Sequence, residues 1–179
     1  MVRGESLSSP SESVGKSPTL KSKSETPTEY IRKEEIQMAR KVYYFDMDGV
    51  LCDFHKEPYK YANAINREWI ANLDPFTEAI ETVKALIASG KSVYINSLAA
   101  SEDARLGKLD WLAKYLPEIP ANKIIIIVGS GKKAEYMKTK TGILVDDKLS
   151  NCRQWSKISG QPHIWVEVRG QVKIEGFNN

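Results

Sequence analysis

Four stretches of this 179-residue chain set oxygen and ammonium groups directly behind apolar runs. VYYF leads into Asp46-Met47-Asp48-Gly49, VYIN into Ser97, IIIIV into Gly129-Ser130-Gly131-Lys132-Lys133, and ILV into Asp146-Asp147. If these stretches converge, four carboxylates, a hydroxyl and a lysine share one place. Carboxylates held together repel unless a cation sits among them, and oxygen ligands without His or Cys nearby suit a hard ion such as Mg²⁺. A phosphate group bridged to that ion is the ligand such a set would take.

The elements that must position these residues are legible in the same runs. VYYF, SVYI (92–95), IIIIV, ILV (143–145) and HIWVEV (163–168) are rich in β-branched and aromatic residues and read as strands. The first four are short and almost continuously apolar, as parallel strands covered on both faces are. Between them, residues 75–89 carry Phe76, Ile80, Val83 and Ile87 on one helical face, with Pro75 in the first turn and Gly90 as the stop. A second helix starts at the N-cap Ser101, has Glu102 and Asp103 where the dipole favours acids, carries Leu106, Leu109, Leu112 and Leu116, and ends at Pro117. NCRQW continues as an amphipathic helix in which Cys152 packs inward. Strand and helix in alternation predict an α/β fold with a doubly wound parallel sheet, whose strand ends lie along one ligand-binding edge. The final segment, HIWVEVRGQVKIEG, is expected to form a hairpin turning at Arg169-Gly170.

The chain resembles the haloacid-dehalogenase (HAD) superfamily of phosphatases, and within it the 5′(3′)-deoxyribonucleotidase-like branch. Asp46-Met47-Asp48-Gly49-Val50 matches the first motif, Ser97 the second, Lys133 in KKAEYM the third with Lys132 as a substitute, and Asp146-Asp147 the fourth. LDPF, KLDWLAKYLP and VDDKLSNCRQW carry the likeness to the branch, and the match runs from about residue 41 to 168. The resemblance implies a Rossmannoid sheet, a Mg²⁺ ion and two-step phosphoryl transfer. Asp46 would be the nucleophile and Asp48 the acid/base; Ser97 and Lys133 would bind the phosphoryl group. The metal would take the Asp46 carboxylate, the Asp48 carbonyl and the acidic pair Asp146 and Asp147, most directly Asp146. One departure is Asn96, where an apolar residue is more usual before the Ser. The other is the shortness of the cap, for which only about residues 52–73 are available. Tyr61, Ile65 and Trp69 are spaced for one small helix, and Phe54, Tyr59, Tyr61 or Trp69 would be the side chains to stack on a nucleobase. So small a cap leaves the site open, so a nucleic-acid end stays a candidate beside nucleoside monophosphates and other small phosphomonoesters.

Composition sets the outer limits. With 26 basic and 23 acidic residues the net charge is +3, too little for a nucleic-acid footprint by itself. Cys52 and Cys152 lack the close Cys or His pairing of a zinc site and read as reduced thiols of a cytoplasmic protein. No apolar run approaches the roughly 18 residues that span a bilayer, so no membrane role is expected. Residues 1–40 are dominated by Ser, Pro, Thr, Lys and Glu and are expected to be a disordered tail, either functional or read from an upstream start ahead of Met38. Residues 41–179 would form the phosphatase domain; nothing in the sequence bears on oligomeric state. The run Gly129-Ser130-Gly131-Lys132-Lys133-Ala134 also fits the dinucleotide pattern G-x-G-x-x-A, though the segment after it is short for a crossover helix and Asp46 and Asp48 would then have no role. A Walker A loop fails, because Ile126 stands where its first Gly belongs.

Overall fold

In the computed structural model, the described residues are 41–55 and 65–177, with Thr26 and Thr28 ahead of them. The expected tail, Tyr59 and Tyr61 otherwise fall outside that set. The apolar runs form five strands: β1 (Val42–Phe45), β2 (Ser92–Ala99), β3 (Ile124–Val128), β4 (Ile143–Asp146) and β5 (His163–Trp165). They make one sheet in the order β3-β2-β1-β4-β5, every neighbouring pair parallel. The chain steps outward from β1 through β2 to β3, then returns to the far side of β1 to lay down β4. The order therefore reverses between β1 and β4, and the crevice outside their carboxyl ends is where ligands bind in such sheets.

Helices cover both faces. α1 (Arg67–Ala71), α2 (Thr77–Ala88) and α3 (Glu102–Tyr115) accompany one core, where Tyr43, Phe45, Val93 and Ile95 meet Ile80, Val83, Leu86, Trp111 and Leu112. On the other face Tyr44, Ile125, Ile127 and Leu144 pack with Trp155 of α4 (Leu149–Ser159), and Cys152 is buried as expected. α2 follows its apolar stripe and is followed by Gly90 at φ +79°. Pro75 stands before the N-cap Phe76 and not in the first turn.

Three expectations need correcting. β2 does not end at Ser97: it runs on to Ala99, because β3 pairs along it from Ile95↔Ile124 to Ala99↔Val128 while β1 leaves the ladder at Phe45↔Ile95. α3 is capped by Ser101, whose hydroxyl accepts from the Ala104 N–H at 3.1 Å, but its inward face is Ala104, Gly107, Lys108, Trp111 and Leu112, with Leu106 and Leu109 only half-buried. Gly107 decides that rotation. A Cβ there would stand 2.5 Å from the Arg67 carbonyl oxygen and 2.9 Å from Ile70 Cβ, so the glycine must face α1. Trp111 follows it inward and donates from its indole to the Leu73 carbonyl at 2.9 Å. The expected terminal hairpin is absent among the described residues; after Trp165 the chain wraps, burying Val166, Val172 and Ile174 in the first core. Gly170, at φ +74°, donates its N–H to the Gly49 carbonyl at 3.1 Å and lies so close to the Phe76 ring that a Cβ would overlap it. A returning strand would have left those apolar side chains in water.

Candidate active site

β1 ends where its last ladder bond ties the Asp46 N–H to the Val145 carbonyl at 2.9 Å, which sets Asp46 beside the end of β4. Its side chain turns into the crevice and is almost wholly buried. Oδ1 accepts the N–H of Met47 at 2.8 Å, and Oδ2 lies 2.8 Å from Lys133 Nζ. The same ammonium stands 2.6 Å from Asp146 Oδ2. Asp146 is fully buried and its carboxylate is held by the N–H of Lys148 at 2.8 Å and by the Asn151 amide at 3.1 Å to each oxygen. Asp147 reaches across Gly49 so closely that a Cβ on that glycine would overlap Oδ2, and Gly49 sits at φ +77°. Only glycine satisfies both demands. Carboxylate oxygens of Asp46, Asp146 and Asp147 all lie within 4.8 Å of one another. Three hard oxygen donors at that spacing fit a Mg²⁺-sized ion with room for other oxygen ligands.

Two residues along, the chain has turned and Asp48 faces the opposite half of the crevice. Its Oδ1 is 2.8 Å from Lys108 Nζ, and Lys108 also donates to Ser97 Oγ at 2.8 Å. Lys108 and Ser97 are buried, whereas 23% of the Asp48 side chain remains open to solvent. The turn that follows the acids is tied by the N–H groups of Val50, Leu51 and Cys52, all converging on the Met47 carbonyl at 2.8–3.2 Å.

These surroundings drive the two acids apart. Burial pushes the Asp46 carboxyl up, but the charges of Lys133 and Lys108 and hydrogen bonds from Lys133 and Ser97 outweigh it and hold the group below the usual carboxylate value. Burial also pushes Asp48 up, the Asp46 charge adds to it, and Lys108 offsets only part, so this carboxyl ends above its ordinary value. Asp146, raised by burial and by Asp46 against the pull of Lys133, is pushed up to about 6, and Asp147 moves upward for the same first two reasons. Burial alone would lower Lys133; the flanking Asp46 and Asp146 carboxylates raise it. The Asp46 carboxyl is thus held below its ordinary value beside an Asp48 carboxyl held above it, so the two differ in their readiness to carry a proton.

The structure brings together Asp46, Asp48, Ser97, Lys133, Asp146 and Asp147, as the four strand ends suggested. It takes the Asp48 side chain out of the carboxylate group that fits a metal and gives it to Lys108. Lys132, the alternate to Lys133, is exposed and pairs with Glu135 at 3.2 Å, because the 3₁₀ turn Lys133–Tyr136 points the second lysine inward. That four-residue turn also removes the dinucleotide reading, which needs a full helix whose N-terminus receives the pyrophosphate. Phe54 and Trp69 meet edge to face, centroids 5.4 Å apart, with the Phe54 ring 5.9 Å from Lys108 Nζ; Tyr61 is outside the described residues. His55 is exposed and touches the Phe54 ring edge. Three residues were missed: Lys108, Asn151, and Arg169, whose Nε lies 3.6 Å from Asp147 Oδ2. For Lys108 the available signal was its place beside Gly107, the small residue that fixes the inward face.

Comparison with known proteins bears on the family and the fold. The model of the family described as 5′ nucleotidase, deoxy (pyrimidine), cytosolic type C protein matches residues 55–177, so it begins just after β1 and its two acids. A chain in the solved Pnkp1/Rnl/Hen1 complex superposes with a TM-score of 0.52 at 20% identity, over 72% of this chain and 46% of that one. The present chain thus spans less than half of that relative, and the likeness speaks for the fold alone. The HAD domain of effector protein Lem4 from Legionella pneumophila aligns at a TM-score of 0.46 and 15% identity, covering 75% of this chain and 89% of that domain. No curated protein matches the chain. A family match across well over half of the chain decides the matter: the protein belongs to the family described as 5′ nucleotidase, deoxy (pyrimidine), cytosolic type C.

Proposed function

We propose that the protein is a Mg²⁺-dependent phosphomonoester hydrolase that works through an aspartyl-phosphate on Asp46 and takes nucleoside monophosphates. The observation that carries this reading is the division of the two acids: Asp46 lies with Lys133 and the acidic pair, Asp48 with Lys108 and Ser97. An Asp46 oxygen attacks phosphorus while the bond to the ester oxygen breaks, and the protonated Asp48 gives its proton to that leaving oxygen. Asp48, now a carboxylate, takes a proton from water as the water oxygen attacks the same phosphorus, which frees Asp46 and releases inorganic phosphate. Ser97 and Lys133 bind the phosphoryl oxygens. Asp46, Asp146 and Asp147, with the Asp48 carbonyl, would hold the metal, which would neutralise charge on those oxygens. The family's description supports a deoxynucleotide substrate and a cytoplasmic location. Phe54, whose ring faces Lys108, and Trp69 against it support a base-stacking wall.

The test is phosphate release from the full chain with Mg²⁺, against nucleoside monophosphates, sugar phosphates and 5′- or 3′-phosphorylated oligonucleotides. Preference for deoxynucleoside monophosphates, and a rate reduced at least about a thousandfold by Asp46→Asn, are expected. Release that persists in that variant or in excess chelator refutes the mechanism; preference for oligonucleotide ends moves the substrate to nucleic acid.

A further inference from the structure

Asn96 is a polar residue in an apolar place. Alternation along β2 sets it on the face of Tyr94 and Leu98, which pack against the second core, and it is fully buried. Removing an amide from water is unfavourable unless its polar atoms find partners. Its Nδ2 donates to the main-chain carbonyl of Lys133 at 3.0 Å, while Oδ1 has no hydrogen-bond partner among the described residues. A leucine of the same branched shape would occupy the place without a stranded oxygen. Stability therefore gives no reason for this residue, and the one bond that it makes does.

That bond falls on the first residue of the turn Lys133–Tyr136. The turn follows exposed residues 128–130 and half-buried Gly131, its N-cap Lys132 offers no side-chain cap, and its bonds from Glu135 to Lys132 and from Met137 to Ala134 are internal to it. The Asn96 amide ties it to the sheet, one residue from Ser97. We infer that Asn96 is a positioning residue: it fixes the main chain of Lys133 so that the ammonium stands between Asp46 and Asp146 and meets the phosphoryl group. The inference rests on the role proposed above for Lys133.

The experiment uses the full chain, Mg²⁺ and p-nitrophenyl phosphate as the probe. Asn96→Leu removes the amide and keeps the branched shape; Asn96→Thr keeps a donor. The Leu variant is expected to lose about tenfold to a hundredfold in kcat/KM, in the range of a small misplacement of a catalytic group, with a melting temperature near that of the wild type, because relief of the stranded oxygen offsets the added bulk. The Thr variant should recover part of the loss. In a Lys133→Met background, or Lys133→Arg if Met prevents folding, Asn96→Leu should add no further loss. The same fractional loss in both backgrounds, a Leu variant as active as wild type, or one that melts far below it with Thr no better, overturns the inference. If the Lys133 variant itself hydrolyses the probe at the wild-type rate, the role of Lys133 falls and Asn96 with it; a slowed Lys133 variant beside an unaffected Asn96→Leu refutes the positioning alone.

Discussion

The two halves of the crevice are built differently around similar parts. On the β4 side Lys133 is locked between Asp46 and Asp146, all three nearly excluded from water. On the β2 side Lys108 is equally buried, but its acid partner Asp48 keeps an open edge and its other partner, Ser97, is neutral. The closed half keeps its charges away from water; in the half-open one water reaches the carboxyl. A buried lysine next to two buried carboxylates is a different physical object from one next to a carboxyl that water can reach.

The largest expected effect breaks the closed half. Lys133→Met leaves Asp46 and Asp146 facing each other in a buried space, and removing one partner of such a group costs about 3–5 kcal/mol. Lys108→Met leaves Asp48, which can protonate or turn to solvent, so roughly 1–3 kcal/mol is expected. Denaturant unfolding in chelator measures both. Added Mg²⁺ should restore stability to the Lys133 variant more than to the Lys108 variant, because binding to the native acids shifts the folding equilibrium. Equal losses in the two variants, or equal rescue, would erase the distinction between the halves.

How much of this was visible in the sequence follows the same division. The closed half was legible because each of its groups follows an apolar run: Asp46 after β1, Lys133 after β3, Asp146 and Asp147 at the end of β4. On the half-open side Asp48 and Ser97 were legible too and Lys108 was not, since it comes from the interior of α3, where a lysine normally marks the solvated face. The leucines at 106 and 109 suggested another inward stripe, and only the close approach of Arg67 and Ile70 to Gly107 rotates the helix to bury Lys108. Arg169 escaped for a related reason. Alternation in HIWVEV and the Arg-Gly pair favoured a hairpin, whereas the burial of Val166, Val172 and Ile174 draws the segment across the sheet end to Asp147.

Gly49 joins the halves, and its substitution should have an intermediate effect. Alanine there must adopt φ +77° and displace the Asp147 carboxylate, so Gly49→Ala should cost about 1–3 kcal/mol and weaken Mg²⁺ binding measured by titration calorimetry. Undiminished metal binding in a folded Gly49→Ala protein would mean that Asp147 is not needed where it lies.

The smallest effect tests whether the closed half has a rim that matters. Arg169 is half exposed, and its Nε is 3.6 Å from Asp147 Oδ2, a pair that water and salt screen. Arg169→Ala should therefore change stability by less than about 1 kcal/mol. Its neighbour Gly170, by contrast, has no room for a side chain beside Phe76 and bonds to the Gly49 carbonyl. If Arg169→Ala proved as costly as Gly170→Ala in thermal unfolding, the C-terminal segment would be held by charge. If, as the packing requires, only the glycine substitution is costly, the segment is held by its apolar contacts and backbone, and the Asp147 carboxylate stays available to a metal.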